Sequence, residues 1–324
     1  MSPKLLYYSF ARYLKEKYPF KVRKISLDAG FTCPNRDGTK AAGGCIYCEN
    51  RSFSLNSKGV LKNVKEQIDS GMAFYRKSFD AEKFIIYFQA YTNTYAPVDY
   101  LKSIYDVVFD YPDVVAMSIG TRPDCVPDDV LDLIENYTDK LDVWLELGLQ
   151  SIYNETMEFT NRAHTYEDFK DVVRRAKGRG LKLCVHTIFG FPQETHEMMM
   201  ATADKVAEMG LDSIKIHHLY VARQTAMEVM YKNGKIRTMD LDEWASLAAD
   251  VLERISPTMV VQRLMGEIQG EYLVAPKWEK SKNEVIQAIE QELIRRGSYQ
   301  GRLYEERIKS QTCVVNSAAN SLIV

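Results

Sequence analysis

Six apolar, β-branched runs recur along the first two-thirds of the chain, and stretches of helical periodicity separate them. The runs cover residues 22–28, 84–89, 114–119, 143–149, 183–189 and 213–219, with helical patterns at 64–77, 98–109, 128–137, 166–177 and 194–209. Strands that alternate with helices pair in parallel, since the chain must cross over before it can add the next strand. Thr165 is placed to cap the helix starting at Tyr166, and Gly178 and Gly210 stand where helices should stop. The expected class is α/β. The periodicity alone supports either an open doubly wound sheet or an incomplete (βα) barrel. In both, chemistry belongs at the C-terminal ends of the strands.

Polar residues gather at those ends. The first run leads into a cysteine-rich loop; Gln89, Thr92 and Asn93 follow the second and Arg122 the third. The fourth carries Glu146 and continues into Gln150 and Ser151, the fifth carries His186, and the sixth ends in His217, His218 and Tyr220. Six strands aiming such groups at one rim predict an active site there.

The loop holds Cys33, Cys45 and Cys48, and Gly43 and Gly44 allow it to turn tightly. Thiolates favour zinc or an iron–sulfur cluster over hard cations. A structural zinc normally closes its tetrahedron with a fourth Cys or His. No second Cys-x-x-Cys occurs, and Cys125, Cys184 and Cys313 stand alone. Three thiolates with one position open fit an iron–sulfur cluster with one unprotected iron.

Composition narrows the rest. The 324 residues are 46% hydrophobic, enough for a sizeable core. No apolar run approaches the ~18–20 residues that span a bilayer, and no signal-peptide core opens the chain, so a cytoplasmic protein without membrane contact is expected. Six cysteines in a chain this long do not resemble a secreted disulfide framework. A net charge of −2 excludes neither nucleic acid nor small substrates, because RNA binding depends on a local basic face. The densest basic segment is 174–182, whose ordinary reading is a solvated helix end.

With its strings TCPNRDGT, GGC, YC, FQAYTNTYAP, GTRPDC, LELGLQS, TNRAHT and GFPQET and the region of Trp278, the chain resembles the radical SAM superfamily over roughly residues 20–220. The spacing Cys33-x11-Cys45-x2-Cys48 is wider than the superfamily's usual Cys-x3-Cys-x2-Cys. It is similar to the branch containing the Elongator catalytic subunit. More closely, the strings resemble small bacterial Fe–S oxidoreductases linked to the carboxymethylaminomethyl side chain of the tRNA wobble uridine. The resemblance implies a partial (βα)6 barrel, a [4Fe–4S] cluster on Cys33, Cys45 and Cys48, and S-adenosylmethionine (SAM) on the fourth iron. Reductive cleavage of SAM to a 5′-deoxyadenosyl radical, followed by hydrogen abstraction from substrate, is the implied reaction.

The same resemblance assigns further roles. Tyr47 falls where the superfamily places an aromatic residue near adenine. Gln89, Thr92 and Asn93 fall where a Gly-Gly-Glu motif usually meets the SAM ammonium, although the Glu is missing here. Glu146, a carboxylate inside an apolar strand, is costly unless paired, and is expected to face the barrel and bind the SAM ribose or ammonium. Arg122 and Arg162 are candidates for the SAM carboxylate, or one of them for the partner of Glu146. Gln150 and Ser151 are expected beside the same pocket. His186 reads equally as a satisfied core histidine. His217 and His218 point opposite ways on a strand, which argues against a two-His metal site. Tyr220, Arg223, Arg263 and Trp278 are substrate-side candidates, with packing an equal alternative.

The expected organisation is an N-terminal helix over 1–20, the partial barrel over 21–222, an extension over 223–300 that closes the barrel or covers substrate, and an irregular tail over 301–324. Helical patterns at 241–255 and 284–296 flank a strand at 259–264 in the extension. Expected partners are tRNA, held by Lys177, Arg179 and Lys182; an electron donor such as flavodoxin or ferredoxin; and a tRNA methyltransferase acting on the product. Rival readings are a radical SAM enzyme acting on a small metabolite or peptide, and a zinc-stapled interaction protein.

Overall fold

In the computed structural model residues 6–52, 54 and 61–310 are described. The strands are β1 (Val22–Leu27), β2 (Lys83–Phe88), β3 (Val114–Thr121), β4 (Asp142–Gln150), β5 (Lys182–Phe189), β6 (Ser213–His218), β7 (Val221–Ala222), β8 (Val260–Arg263) and β9 (Leu273–Ala275). The helices are α1 (Phe10–Lys17), α2 (Val64–Phe79), α3 (Val98–Tyr105), α4 (Asp128–Glu135), α5 (Asn154–Phe159), α6 (Tyr166–Ala176), α7 (His196–Glu208), α8 (Ala226–Lys232), α9 (Leu241–Arg254) and α10 (Lys282–Arg295). Seven strands make one parallel sheet in the order β1-β2-β3-β4-β5-β6-β8, while β7 and β9 form a small antiparallel pair. The large sheet curls into a half-barrel whose edge strands, β1 and β8, do not pair with each other.

Strand alternation sorts side chains between the two faces. The outer face of β4 carries Val143, Leu145, Leu147 and Leu149, all buried in the main core with the inward stripes of α4, α6, α7 and α9. Each such side chain contributes about 1.5–3 kcal/mol through its removal from water. The inner face of the same strand carries Trp144, Glu146 and Gly148. The helix starts follow their sequence signals: Thr165 and Asp168 form a reciprocal capping box at α6, and Asn63 and Glu66 do the same at α2.

One end of the half-barrel is plugged. Phe10 and Tyr13 of α1 meet the indole of Trp144 edge-on at 5.9 and 5.6 Å, and Phe10 packs against buried Val22, Ile85 and Ala116. The plug leaves the cavity to open at the C-terminal ends of the strands, beside the cysteine loop.

Three expectations change. The sheet has seven strands, because β8 pairs in parallel with β6 after the crossover through α9. Part of the C-terminal extension is therefore wall. The tail is not irregular at its start: residues 302–310 are helical, tethered by Arg302 on Glu253 at 3.2 Å and Arg307 on Asp204 at 2.5 Å. The rest of the tail, with Cys313, lies outside the described residues. Helices α5 and α8 carry no clear sequence pattern, being six and seven residues long. Among the described residues no helix is long and apolar enough to cross a membrane.

Candidate active site

Cys33, Cys45 and Cys48 line one side of a cavity at the open end of the half-barrel. Their loop is folded by its own backbone. Cys33 accepts from the amides of Arg36 at 2.8 Å and Asp37 at 3.1 Å, and the Gly44 amide donates to Asn35 O at 2.7 Å. Gly43 and Gly44 sit at φ +82° and +79°, which only glycine adopts without strain. A second segment, 160–162, holds the loop from outside. Asn161 Nδ2 donates to Ala42 O at 3.0 Å and Gly44 O at 2.8 Å, and the Ile46 amide donates to Thr160 O at 3.0 Å.

Donors surround the sulfurs. Arg162 Nη1 and Asn35 Nδ2 each lie 3.5 Å from Cys45 Sγ, and Asn50 Nδ2 lies 3.7 Å from Cys48 Sγ. Burial, then neighbouring Cys45, push the Cys48 thiol up to about 12. A thiol this weakly acidic becomes thiolate only when a metal displaces its proton. Among the described residues, the one metal-like group of three donors within 4.8 Å is Glu146, Cys184 and His186. The three cysteine sulfurs therefore do not all lie within 4.8 Å of one another, and among the described residues no Cys, His or carboxylate forms such a group with two of them. The donor set, its hydrogen-bond donors and its open side fit a [4Fe–4S] cluster with one exposed iron.

The residues expected around SAM divide into two groups. Tyr47, Gln89, Thr92, Gln150, Arg162 and His186 line the cavity with the cysteines. Tyr47 carries a buried hydroxyl with no hydrogen-bond partner, near Phe191. Gln150 adopts φ +73° where β4 shifts register against β5, a strained conformation costing about 1–3 kcal/mol that swings its amide onto the cavity. Gly148 makes room for this: a Cβ there would sit 2.5 Å from Arg162 Nη2 and 2.7 Å from Gln150 Nε2.

Three candidates serve the scaffold. Asn93 is fully buried behind the wall; its amide nitrogen and its side chain both donate to Gly120 O, at 3.2 and 2.7 Å. Arg122 reaches the cavity but spends its guanidinium on Asp124 at 3.0 and 2.9 Å and on the carbonyls of Arg162 and Ala163 at 2.7 and 3.1 Å. It positions the 160–164 segment. Ser151 bonds Glu194 and the Tyr153 amide away from the cavity. Neither Arg122 nor Arg162 is the partner of Glu146.

That partner is a pair of lysines. Glu146, with no exposed surface, receives Lys24 at 3.1 Å on Oε1, and Lys215 together with His186 at 2.9 Å on Oε2. Lys215 also lies 3.2 Å from the Tyr87 hydroxyl. Burial would raise the Glu146 carboxyl, yet Lys215 and then Lys24 hold it well below its usual range. Burial takes Lys215 down to about 8 against the pull of Glu146, and takes His186 down to about 4. The metal-like group containing Glu146 is therefore occupied by ammonium cations. Its third member, Cys184, stays a thiol, pushed by burial up to about 12.

Tyr220 and Arg263 line the cavity, whereas Arg223 donates to Glu271 O and Trp278 donates to Met239 O, both away from it. His217 and His218 both border the cavity. His218 accepts from the Gly266 amide at 3.2 Å and packs among Trp244, Trp278 and Tyr220. The basic segment is not a free cationic face. Arg174 and Arg175 pair with Asp171, Arg175 also with Asp128, Arg179 with Asp132 and Glu135, and Lys182 with Asp142. The reading of the sequence missed Lys24, Arg36, Asn50, Tyr87, Tyr91 and Lys215; Lys215 carried the same signal as Glu146, a charge flanked by apolar residues in a strand.

Comparison with known proteins identifies the family. The profile of the radical SAM superfamily matches residues 35–206, and that of the radical SAM C-terminal domain matches residues 211–295. The chain is 39% identical over 302 residues to the uncharacterized protein YtqA of Bacillus subtilis, covering 92% of this chain and 93% of that protein. It is 31% identical over 156 residues to a tRNA uridine(34) acetyltransferase of Methanocaldococcus jannaschii, covering 46% of this chain and 28% of the acetyltransferase. Among solved structures, archaeal Methanocaldococcus infernus Elp3 lacking its N-terminus superposes with a TM-score of 0.65 at 19% identity, over 87% of this chain and 64% of that one. At that identity the likeness is one of fold.

Proposed function

The chain belongs to the radical SAM superfamily, with a [4Fe–4S] cluster and SAM as its cofactors, and on that premise we propose that it remodels the C5 side chain of a tRNA wobble uridine. The side chain is of the carboxymethylaminomethyl type. The observation that carries the reading is the match to a tRNA uridine(34) acetyltransferase over 46% of this chain. A cavity lined on one side by the three cysteines and on the other by polar inner-wall residues supports it.

The cluster with SAM supplies one-electron cleavage of the sulfonium and a radical able to remove hydrogen from carbon. The chain does the rest. Cys33, Cys45 and Cys48 hold the cluster, and Asn35, Asn50 and Arg162 donate hydrogen bonds to their sulfurs. Gln89, Thr92 and Gln150 offer neutral oxygens for an ammonium, and Tyr47 an aromatic face for adenine. Glu146 stays ionised on the inner wall and fixes Lys24, Lys215 and His186. The half-barrel keeps bulk water from the reacting carbon. A wobble base would enter unstacked, splayed from the anticodon loop.

A reduced flavodoxin or ferredoxin would deliver the electron in the cytoplasm, and a tRNA methyltransferase would accept the product. The enzyme stands as a transferase or an oxidoreductase according to what leaves the side chain. A small-metabolite substrate is the second reading, favoured by the acids that neutralise Arg174, Arg175 and Arg179. One experiment separates the two. Protein reconstituted without oxygen, given dithionite and SAM, should form 5′-deoxyadenosine faster with bulk tRNA, and the wobble nucleoside should change mass. Unstimulated cleavage with unaltered nucleosides would leave the metabolite reading.

A further inference from the structure

The inner wall opposite the cysteines holds more positive charge than its own carboxylates balance. Strand register sets His186, Lys215 and Arg263 side by side across β5, β6 and β8, and all three line the cavity. His217, two residues beyond Lys215 on β6, lines it as well. Glu146 offers one negative charge to two ammonium groups, Lys24 and Lys215. Arg263 adds a third cation. Among the described residues its one ion pair, to Glu267, is 3.7 Å long, beyond hydrogen-bond distance, and Glu267 is already engaged by exposed Lys282. Lys215 and Arg263, together with the half-buried Lys24 outside the cavity lining, thus share two carboxylates, one of which Lys282 also engages.

Unspent hydrogen-bonding capacity lies at the same place. Among the described residues the Arg263 guanidinium makes no hydrogen bond, although its side chain is only 21% exposed. The Nε2 atom of His217 is buried and has no hydrogen-bond partner among the described residues. Burial and then Arg263 hold that imidazole neutral, so in its Nε2–H tautomer it donates one hydrogen bond without adding charge. A half-buried guanidinium with idle donors at the cavity wall is completed best by an anionic group. Planar guanidinium donors match a carboxylate in two parallel bonds.

We propose that Arg263, with Lys215 and His217 beside it, forms the subsite for a carboxylate at the end of the substrate's side chain. The assignment rests on the reading of the substrate as a side-chain-modified uridine and specifies which end of that side chain the enzyme recognises. It makes Arg263 a specificity determinant: a side chain that lacks the carboxylate would leave the cation unbalanced and bind more weakly. SAM also carries a carboxylate, so the test must tell the two apart.

The test uses reconstituted protein under anaerobic equilibrium dialysis with three probes: 5-carboxymethylaminomethyluridine, 5-aminomethyluridine and SAM. Arg263→Gln keeps length and polarity but removes the charge. Since Arg263 makes no hydrogen bond within the described chain, the variant should retain the cluster absorbance and melting of the parent. The parent should bind the carboxylate-bearing nucleoside about tenfold or more tightly than the aminomethyl one, the yield of a charge-assisted hydrogen bond. Arg263→Gln should erase that preference, and Arg263→Lys should restore part of it. A preference that survives in Arg263→Gln, an equal loss for both nucleosides, or a loss confined to SAM would overturn the subsite while leaving the uridine reading intact. A parent protein that binds neither nucleoside would refute both together.

Discussion

Arg162 touches the sulfur of Cys45 through Nη1 at 3.5 Å while its Nη2 donates to the Gly148 carbonyl at 3.0 Å. One buried guanidinium thereby connects the cysteine loop to the end of β4, the strand that also carries Glu146 and Gln150. Burial alone would weaken its charge, but Tyr47 and Cys45 beside it hold it firmly protonated. The loop and the inner wall are set relative to each other by this side chain.

A fixed positive charge and an N–H···S contact favour the reduced, more negative cluster. Arg162→Gln should therefore lower the cluster's reduction potential by on the order of 50 mV, part of what a charge-assisted hydrogen bond is worth. Potentiometry monitored by electron paramagnetic resonance reads this directly. An unmoved potential would mean that Arg162 only ties the loop down.

Asn161 tests the loop's external support. Its side-chain amide satisfies two carbonyls, Ala42 O and Gly44 O, and its backbone sits at φ +52°. Asn161→Ala frees both carbonyls and places alanine in the left-handed region, together costing about 2 kcal/mol or more. Iron and sulfide retained after reconstitution should fall by half or more, while the cluster-free protein stays folded and melts only a few degrees lower. Full iron content in the variant would show that the loop holds its shape unaided.

The Glu146–Lys215 pair should behave as a unit. Glu146→Gln strands the buried ammonium of Lys215 and removes one partner of the half-buried Lys24, so a loss of about 3–5 kcal/mol is expected in urea unfolding of the cluster-free protein. Lys215→Met in the same chain removes the stranded charge. The double variant should then be more stable than Glu146→Gln alone, a coupling that a double-mutant cycle measures. Simple addition of the two losses would indicate that the charges are separately solvated.

Much of this was legible because its causes are local. The six strand runs are apolar and β-branched, so their periodicity is written in adjacent residues, and Glu146 announces itself as a carboxylate among apolar neighbours. Non-local causes were hidden. The strand near 259–264 is readable as a strand, but nothing in Val260 or Val261 says that it pairs with Ser213 and Ile214. Arg175 and Arg179 look like a basic patch because the acids that neutralise them from α4, Asp128, Asp132 and Glu135, lie more than forty residues away. Arg122 and Arg162 are equivalent in sequence. Only the fold spends one on Asp124 and turns the other toward Cys45.

Buried histidines give the protein a directional response to acid. Burial holds His218 down to about 3, and His164, with Arg162 and Arg122 adding to its burial, to about 3 as well. Both would titrate near 6.5 in the unfolded chain. Between pH 6.5 and those lower values unfolding takes up protons, so stability that is fully present above pH 6.5 is lost progressively as pH falls. By pH 5 each such histidine accounts for about 2 kcal/mol of that loss. His218 is the one to change, because, although it borders the cavity, its ring packs among aromatic side chains and uses Nδ1 to accept from Gly266. His218→Asn keeps an acceptor near that position and removes the titration. Urea midpoints of parent and variant, compared at pH 7 and pH 5, should show the variant losing about 2 kcal/mol less on acidification. Equal losses would mean that His218 is protonated in the folded protein at pH 5, and that water reaches the ring the structure encloses between Trp244 and Trp278.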